Sequence, residues 1–301
     1  MRYTGVFLVM LAALFWGISG AIANVLMNKG WDPFVIAFYR GAIGFLFFFV
    51  WVFHRFKQRR VPYRRFFLWS ILAGLGVAGN FTFYFLSIEA SSISVAVTLM
   101  YTAPVFVLLS SLIFGFERSS YFKWLSVFSV VLGIVLLTES YQLDTVHASI
   151  FGTFMGLASG VSYAVFIFGF KYAAPHGSPQ AILVIAFAVL TTILIWLGDS
   201  HQALAVLTTP SWPLFVVLGV LGAGLSFIFY IVGLNHTAPA VASIVAMVEP
   251  VTASLFGVVV LHESLATPQI FGMGLILVTV TALSVYSSAQ NEPLGSKPLA
   301  E

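Results

Sequence analysis

Two stretches of the sequence match each other and decide how the chain is read. Residues 95–117 are VAVTLMYTAPVFVLLSSLIFGFE, and residues 241–263 are VASIVAMVEPVTASLFGVVVLHE. Both begin with Val-Ala, carry Pro-Val at the tenth and eleventh positions and end with Glu. The offset between them is 146 residues, close to half of the 301-residue chain. This offset predicts an internal repeat that covers the whole chain.

Matches at the same offset extend well beyond these two stretches. Coincidences among Phe, Val, Ala and Gly carry little weight in so apolar a chain, whereas matched Pro, Tyr and Glu residues carry more. The sequence therefore predicts two repeats, residues 1–138 and 149–288, and a disordered cytoplasmic tail, residues 289–301, which is polar and contains Pro. The matched positions include Pro33 with Pro179, Gly76 with Gly222, Phe81 with Phe227, Phe83-Tyr84 with Phe229-Tyr230, and Glu117 with Glu263.

The composition places both repeats in a lipid bilayer. Hydrophobic residues make up 60% of the chain and charged residues 8%, where soluble domains carry roughly a quarter. So little polar sequence excludes a receptor ectodomain, a soluble catalytic domain and a nucleic-acid binder. The absence of Cys excludes disulfides, thiolate metal sites and cysteine nucleophiles. We expect no cofactor or metal, and the lipid bilayer as a partner.

Ten apolar runs are long enough to cross the bilayer, since a spanning helix needs about 20 apolar residues. The sequence thus predicts an all-α integral membrane protein with ten transmembrane helices. The first five runs are Thr4 to Met27, Pro33 to Phe53, Phe66 to Ile88, Ser92 to Phe114 and Ser120 to Thr138. The second five are Ser149 to Ala174, Pro179 to Leu197, Trp212 to Leu234, Pro239 to Leu261 and Ala266 to Ser288. Their connections predict tight hairpins, apart from longer loops at 54–65 and 139–148.

Lys and Arg orient these spans, because short loops rich in them stay in the cytoplasm. With both termini inside the inner (plasma) membrane, 11 of the 13 basic residues lie on the cytoplasmic side. Only Lys29 lies outside, and Arg40 lies within a span. A rival interpretation takes the N-terminus as a cleavable signal peptide ending near Ala21-Ile22-Ala23. That would leave nine spans and spoil the charge split.

An odd number of helices in each repeat has a topological consequence. The second repeat must enter the bilayer from the opposite face, so the two repeats are inverted relative to each other. Inverted repeats are typical of secondary transporters, whose halves exchange tilts and expose one site near the bilayer midplane to either side in turn. The alternative is a large helix bundle built by duplication.

Four short motifs, taken together, are specific enough to compare with known protein families. They are Leu14-Phe15-Trp16-Gly17, Pro33 through Arg40-Gly41, Tyr101-Thr102-Ala103-Pro104 with Glu117, and Val248-Glu249-Pro250 with Glu263. With these motifs the chain resembles two EamA-like repeats of the drug/metabolite transporter superfamily over nearly its whole length. The resemblance implies a ten-helix exporter of small metabolites, and bacterial amino-acid exporters, including those for aromatic amino acids, look most similar. Nucleotide-sugar and drug-type carriers share the helix plan and stay open as alternatives.

Two charged residues lie well inside predicted spans, Arg40 in the second and Glu249 in the ninth. Each would cost several kcal/mol, on the order of 3, unless paired or solvated. One hypothesis is a fixed ion pair that joins the repeats. The other places both on a water-filled cavity, where Arg40 binds a substrate carboxylate and Glu249 either meets an ammonium group or carries a transport proton.

Further cavity candidates are polar or aromatic residues within spans, whose polar atoms need partners in hydrocarbon. Pro104 and Pro250 interrupt helical hydrogen bonding in equivalent helices, so both helices should kink there, as static bends or as hinges. The cavity candidates are Asn80, Trp16, Tyr84, Tyr101, Tyr163 and Tyr230.

The sequence favours a transporter of a small-molecule substrate over an intramembrane enzyme. Gly17-Ile18-Ser19-Gly20 resembles a rhomboid-protease motif, but none of the six His residues lies deep in a span to activate a serine. No phosphate-binding loop is present, so transport would draw on a proton gradient, exchange or the substrate's own gradient. The oligomeric state stays open between monomer and homodimer.

The predicted topology can be tested by cysteine labelling, because the chain has no native Cys. Single Cys residues at Gln58 and Gln142 should react with an impermeant maleimide from opposite faces of the membrane. Labelling of both from one face would contradict the ten-span topology.

Overall fold

The computed structural model describes residues 4–54, 63–115, 119–142 and 149–290. Glu117, most of the basic loop and the tail beyond residue 290 lie outside these ranges. In the described part of the first half, six α-helices follow one another, and a short 3-10 helix (Ser140–Gln142) comes after the last. The six α-helices are α1 (Thr4–Asn28), α2 (Pro33–His54), α3 (Tyr63–Ala90), α4 (Ile93–Met100), α5 (Ala103–Ile113) and α6 (Tyr121–Leu137).

The second half follows the same order with two additions. Residues Val220–Leu225 form a π-helical turn between two α-helices, and α9 is a short extra helix. The helices are α7 (Ile150–Ala173), α8 (Pro179–Leu194), α9 (Ser200–Ala205), α10 (Trp212–Gly219), α11 (Ser226–Asn235), α12 (Pro239–Val245), α13 (Val248–Leu261) and α14 (Thr267–Gln290). Starts separated by 146 residues are Thr4 and Ile150, Pro33 and Pro179, Ile93 and Pro239, and Tyr121 and Thr267.

Long apolar helices dominate the described residues. Eight helical segments are long and apolar enough to cross a membrane, counting α4–α5, α10–α11 and α12–α13 as one each. Two further apolar helices, α6 and α8, are shorter, at 17 and 16 residues. Aliphatic and aromatic side chains cover the outer surfaces of the spanning helices, as lipid contact requires. Phe7 on α1, Phe128 on α6 and Phe271 on α14 are among the exposed ones.

The spans that contain Pro104 and Pro250 are each interrupted by a two-residue turn, which we call a helix break, close to the proline where a kink is predicted. The first helix of each pair ends just before Tyr101 or Ala246, and the next begins at Ala103 or Val248. Each proline therefore lies in the first turn of the second half-helix, where its missing N–H has no helical acceptor to lose.

Two other boundaries differ from the sequence prediction. The chain between α8 and α10 is not a tight hairpin: Asp199 caps α9 by accepting hydrogen bonds from His201 N at 2.8 Å and Gln202 N at 3.0 Å. The Tyr39 hydroxyl donates to Ala203 O at 2.6 Å and fixes α9 on α2. At the other end, α14 extends to Gln290, two residues into the predicted tail.

Contacts at the helix ends define two faces. On the N-terminal face, where α1 begins, Gly5 approaches His236 beyond the end of α11, and Gly177 approaches Phe66 in the first turn of α3. On the opposite face, Gly152 at the start of α7 approaches Ser91 beyond the end of α3. These positions follow the up-and-down course of a helix bundle with short connections.

Glycines bring the two halves into close contact. Helix α3 packs along α7, while α1 packs along α11 and α13. Helices α2 and α6 pack against their own counterparts, α8 and α14, as a two-fold arrangement requires. Gly76 lies so close to α7 that an added Cβ would be 2.5 Å from Phe166 N, and at Gly169 it would be 2.6 Å from Ala73 N.

Gly76→Ala should therefore lower the thermal unfolding temperature in detergent, because α3 and α7 must separate. Overpacking of this kind costs about 1–3 kcal/mol. Gly274→Ala is the matched control, since an added Cβ there meets nothing within 4 Å. Equal unfolding temperatures for both variants would contradict the packing of α3 on α7.

Candidate functional site

A cavity of about 430 Å³ lies between the two halves of the described bundle. Its mouth is on the opposite face, where it is lined by the ends of α1, α6 and α13 and the starts of α2 and α4. The mouth residues include Met27, Pro33, Ile93, Thr138 and Leu261. Its floor lies near the middle of α1, where Trp16 forms part of the wall. The cavity thus reaches half-way through the protein from one face.

The two helix breaks meet at this cavity. Tyr101 ends α4, Glu249 is the second residue of α13, and both line the wall. The Tyr101 hydroxyl lies beside the Glu249 carboxylate. Gly17 lets α1 approach the second break, because an added Cβ there would be 2.5 Å from Glu249 O. An acidic residue in the first turn of a helix is also favoured by the helix dipole.

Arg40 reaches the cavity from α2 and is anchored by a backbone carbonyl. Its Nε and Nη2 atoms donate to Gly222 O at 3.1 and 2.8 Å, and the guanidinium carbon lies 5.2 Å from the centre of the Phe81 ring. Gly222 belongs to the π-helical turn, and such turns recur at functional sites. An added Cβ at Gly222 would be 2.5 Å from Ser19 Cβ and 2.9 Å from Arg40 Nε, so the packing of this turn against α1 and α2 favours glycine.

No ion pair of 4.0 Å or less joins Arg40 to Glu249, both of which lie in described segments. Both side chains are half-buried and line the same cavity. The two side chains therefore do not form the direct ion pair of the structural hypothesis, although their charges attract each other. Arg40 keeps donors that the Gly222 carbonyl does not use, because a guanidinium has five N–H groups.

Asn80 has its polar partners on α7. Its Nδ2 donates to Ser159 Oγ at 3.0 Å and to Ser159 O at 3.2 Å, and Ser159 Oγ donates back to Asn80 O at 2.9 Å. The neighbouring Tyr84 also lines the cavity, one turn nearer the mouth. A polar stripe on α3 therefore faces the cavity.

Aromatic rings close the floor. The Trp16 ring centre lies 4.9 Å from that of Tyr230 and 5.1 Å from that of Phe227, and the Tyr163 and Phe166 centres are 4.4 Å apart. Trp16, Tyr163, Phe166 and Phe227 line the cavity. Tyr230 is fully buried beneath Trp16 and does not line the cavity in this conformation.

Seven of the eight predicted cavity residues line this one cavity, and Pro250 with them, while Pro104 is buried and does not line it. Sequence reasoning missed the roles of Phe81, Gly222 and Glu263. All three are matched across the repeat, which was the available signal. Glu263 lines the mouth, where its carboxylate folds back over Gly257.

The family model of the EamA-like transporter family matches residues 3–139 and again residues 150–285. The chain belongs to the EamA-like transporter family. The family and the similar proteins are named as transporters rather than enzymes. The several long apolar helices of this chain are those of a membrane protein.

Several relatives are similar over most of the chain. An uncharacterized transporter of Archaeoglobus fulgidus is 28% identical and covers 93% of this chain and 96% of its own length. The threonine/homoserine exporter RhtA of Escherichia coli K12 is 26% identical, over 77% of this chain and 73% of its own length. A crystal structure superposes with a TM-score of 0.75 at 17% identity, over 97% of this chain and all of that one, which shows the shared fold.

The geometry of this EamA-like protein predicts the stability of its charge variants. Arg40→Ala and Glu249→Gln should each stay folded in detergent, because cavity water solvates the remaining charge. A double variant should gain no stability over the singles. Removing one partner of a buried ion pair would instead cost about 3–5 kcal/mol, and the double variant would recover part of it. Thermal unfolding of the three variants distinguishes these outcomes.

Proposed function

We propose that this protein is a ten-span secondary transporter that exports amino acids across the inner membrane by alternating access. The observation that carries the proposal is a cavity near mid-membrane whose wall presents Arg40 and Glu249 unpaired with each other. An amino-acid zwitterion has a carboxylate that can bind Arg40 and an ammonium group that can bind Glu249. A forked guanidinium suits the carboxylate, and a carboxylate suits the ammonium group.

The helix breaks place part of the proposed site near mid-membrane. Tyr101 and Glu249 lie at the two breaks, and both line the cavity. Secondary transporters build substrate sites from such discontinuous helices. The aromatic floor around Trp16 and Phe227 offers an apolar surface to the side chain. We therefore propose aromatic or hydrophobic amino acids as the preferred substrates, and the name of the relative RhtA supports the amino-acid class.

The direction of opening follows from the charge-based topology. With the N-terminal face in the cytoplasm, the cavity opens outward and the cytoplasmic side is closed. Inversion of the two repeats would supply the inward-open state by exchange of their tilts.

Pro104 and Pro250, each just beyond a break, are proposed as the hinges. Pro104→Ala and Pro250→Ala should stay folded but exchange slowly between conformations, because each supplies an N–H that lets the helix continue across the break. Unchanged exchange rates in both variants would contradict the hinge role and indicate static breaks.

Glu249 has two proposed roles that one substitution separates. If it carries a transport proton, Glu249→Gln should abolish transport driven by a pH gradient and retain substrate binding. If it meets the substrate ammonium group, binding itself should weaken. Equilibrium binding and pH-driven efflux measured on one preparation assign the role.

The substrate class is tested by efflux from reconstituted vesicles. Phenylalanine, tryptophan, leucine, threonine and homoserine form the amino-acid panel, and a nucleotide sugar and a lipophilic cation represent the other carriers of this helix plan. We expect the large apolar amino acids to move fastest. Phenethylamine and phenylpropionate, which each lack one charged group, should move poorly.

Arg40→Ala and Glu249→Gln should each lower amino-acid efflux at least about tenfold, since a hydrogen bond to a charged group is worth about 1.5–3 kcal/mol. Arg64→Ala and Glu89→Gln, exposed and remote from the cavity, are the matched controls and should transport normally. Preferred efflux of the nucleotide sugar or the cation, or undiminished amino-acid efflux in the cavity variants, would contradict the proposal.

A further inference from the structure

A series of buried polar atoms without hydrogen-bond partners lies beneath the cavity floor. The described residues have seven buried side-chain polar atoms without hydrogen-bond partners, and three of them, Ser226 Oγ, Tyr230 Oη and Thr237 Oγ1, lie on or just after α11. The other four are Trp16 Nε1, Thr82 Oγ1, Ser91 Oγ and Tyr163 Oη. Ser226 and Tyr230 are four residues apart on α11 and share one face of the helix, and Thr237 follows its end. Buried hydroxyls without partners are rare because each forfeits its hydrogen bonds to water. Their alignment toward the N-terminal face therefore needs an explanation.

The repeat offset relates these residues to the open cavity. Adding 146 to Asn80, Phe81 and Tyr84 gives Ser226, Phe227 and Tyr230. The three residues on α3 line the cavity between its floor and its mouth. Their counterparts on α11 run from the same floor toward the opposite side. Ser226 and Tyr230 are both 0% exposed.

Lys171 fixes the end of α11 on the closed side. Its Nζ, on α7, donates to Leu234 O at 2.6 Å and to Thr237 O at 2.9 Å. A cation that donates to the last carbonyls of a helix stabilises that end. Nearby, Gly233 packs against the first turns of α1, where an added Cβ would be 2.9 Å from Val9 N. The counterpart of Lys171 at the same offset is Val25, which has no donor for the open side.

We propose that the α11 stripe, defined as Ser226, Tyr230 and Thr237, is the cytoplasmic half of the translocation pathway, closed in this conformation, and that Lys171 is the latch that keeps it closed. The inference rests on the proposed alternating access and on the charge-based orientation. When the latch opens, water and then the polar groups of an amino acid meet the hydroxyls that now lack partners. The stripe then lines the inner half of the pathway with polar groups, as Asn80 and Tyr84 line the outer half.

Cysteine accessibility tests this inference without knowledge of the substrate. Ser226→Cys is nearly isosteric, and the chain has no native Cys. Ser70→Cys is the matched control, because Ser70 is equally buried but donates to Phe66 O at 2.7 Å on α3. Ala23→Cys, on the cavity wall, reports the open side. An impermeant maleimide is applied to either face of reconstituted vesicles.

We expect Ser226→Cys to react slowly and only from the cytoplasmic face, Ala23→Cys only from the other face, and Ser70→Cys from neither. Lys171→Met should raise the Ser226→Cys rate about tenfold, because two hydrogen bonds from a charged group are lost. Lys171→Arg, which keeps a charged donor, should raise it less. Ser70→Cys should stay unreactive with Lys171→Met, which shows that the protein has not simply unfolded.

Failure to label Ser226→Cys from the cytoplasmic face with native Lys171 would overturn the pathway, whatever Lys171→Met does to folding. An unchanged rate in Lys171→Met would overturn the latch. Vesicle efflux separates these failures from failure of the proposed function. If the protein exports amino acids but Ser226→Cys is never labelled, the pathway is rejected and the substrate class stands. If Ser226→Cys is labelled as expected but no amino acid is exported, the substrate class is rejected and the pathway stands.

Discussion

A charged side chain in the middle of a bilayer must meet water or a polar partner, and the architecture of this protein follows from how Arg40 and Glu249 satisfy that constraint. Arg40 uses the carbonyl of Gly222 and the face of Phe81. Glu249 lies at a helix N-terminus beside the hydroxyl of Tyr101. The two charges attract each other across the cavity without a direct ion pair, so both also depend on the water-accessible space between the halves. The cavity is thus the physical condition under which these residues remain in the membrane.

The helix breaks make that space possible. A continuous helix would hide its carbonyls and dipole ends, whereas a broken one brings them to mid-membrane, which is tolerated only where they line a cavity or are buried in protein. Gly17 on α1 and Gly160 on α7 let these helices approach the two breaks, since an added Cβ at Gly160 would be 3.2 Å from Met100 O. Small residues at helix contacts and polar residues at the cavity are therefore parts of one design.

Much of the fold could be predicted because a bilayer imposes simple rules on sequence. Apolar run lengths gave helix bounds within a few residues for α1, α2 and α7. Pro104 and Pro250 marked where these spans are interrupted but not the form of the interruption, because a proline permits either a kink or a restart. The anchor of Arg40 is a backbone carbonyl, which has no signature in sequence. Tyr230 is a cavity candidate because a hydroxyl within a span needs a polar partner, and the sequence does not show which half of a pathway is open.

The central claim is that the two halves alternate between openings on opposite faces. Pulsed electron–electron spin resonance in nanodiscs measures this with two nitroxide pairs. One pair, at Ile93 and Leu261, spans the cavity mouth, and the other, at Ile113 and His236, lies on the N-terminal face. Across pH values and amino-acid additions, the account predicts two distances for each pair, with the longer mouth distance accompanying the shorter N-terminal one. A single unchanged distance for both pairs under every condition would contradict it.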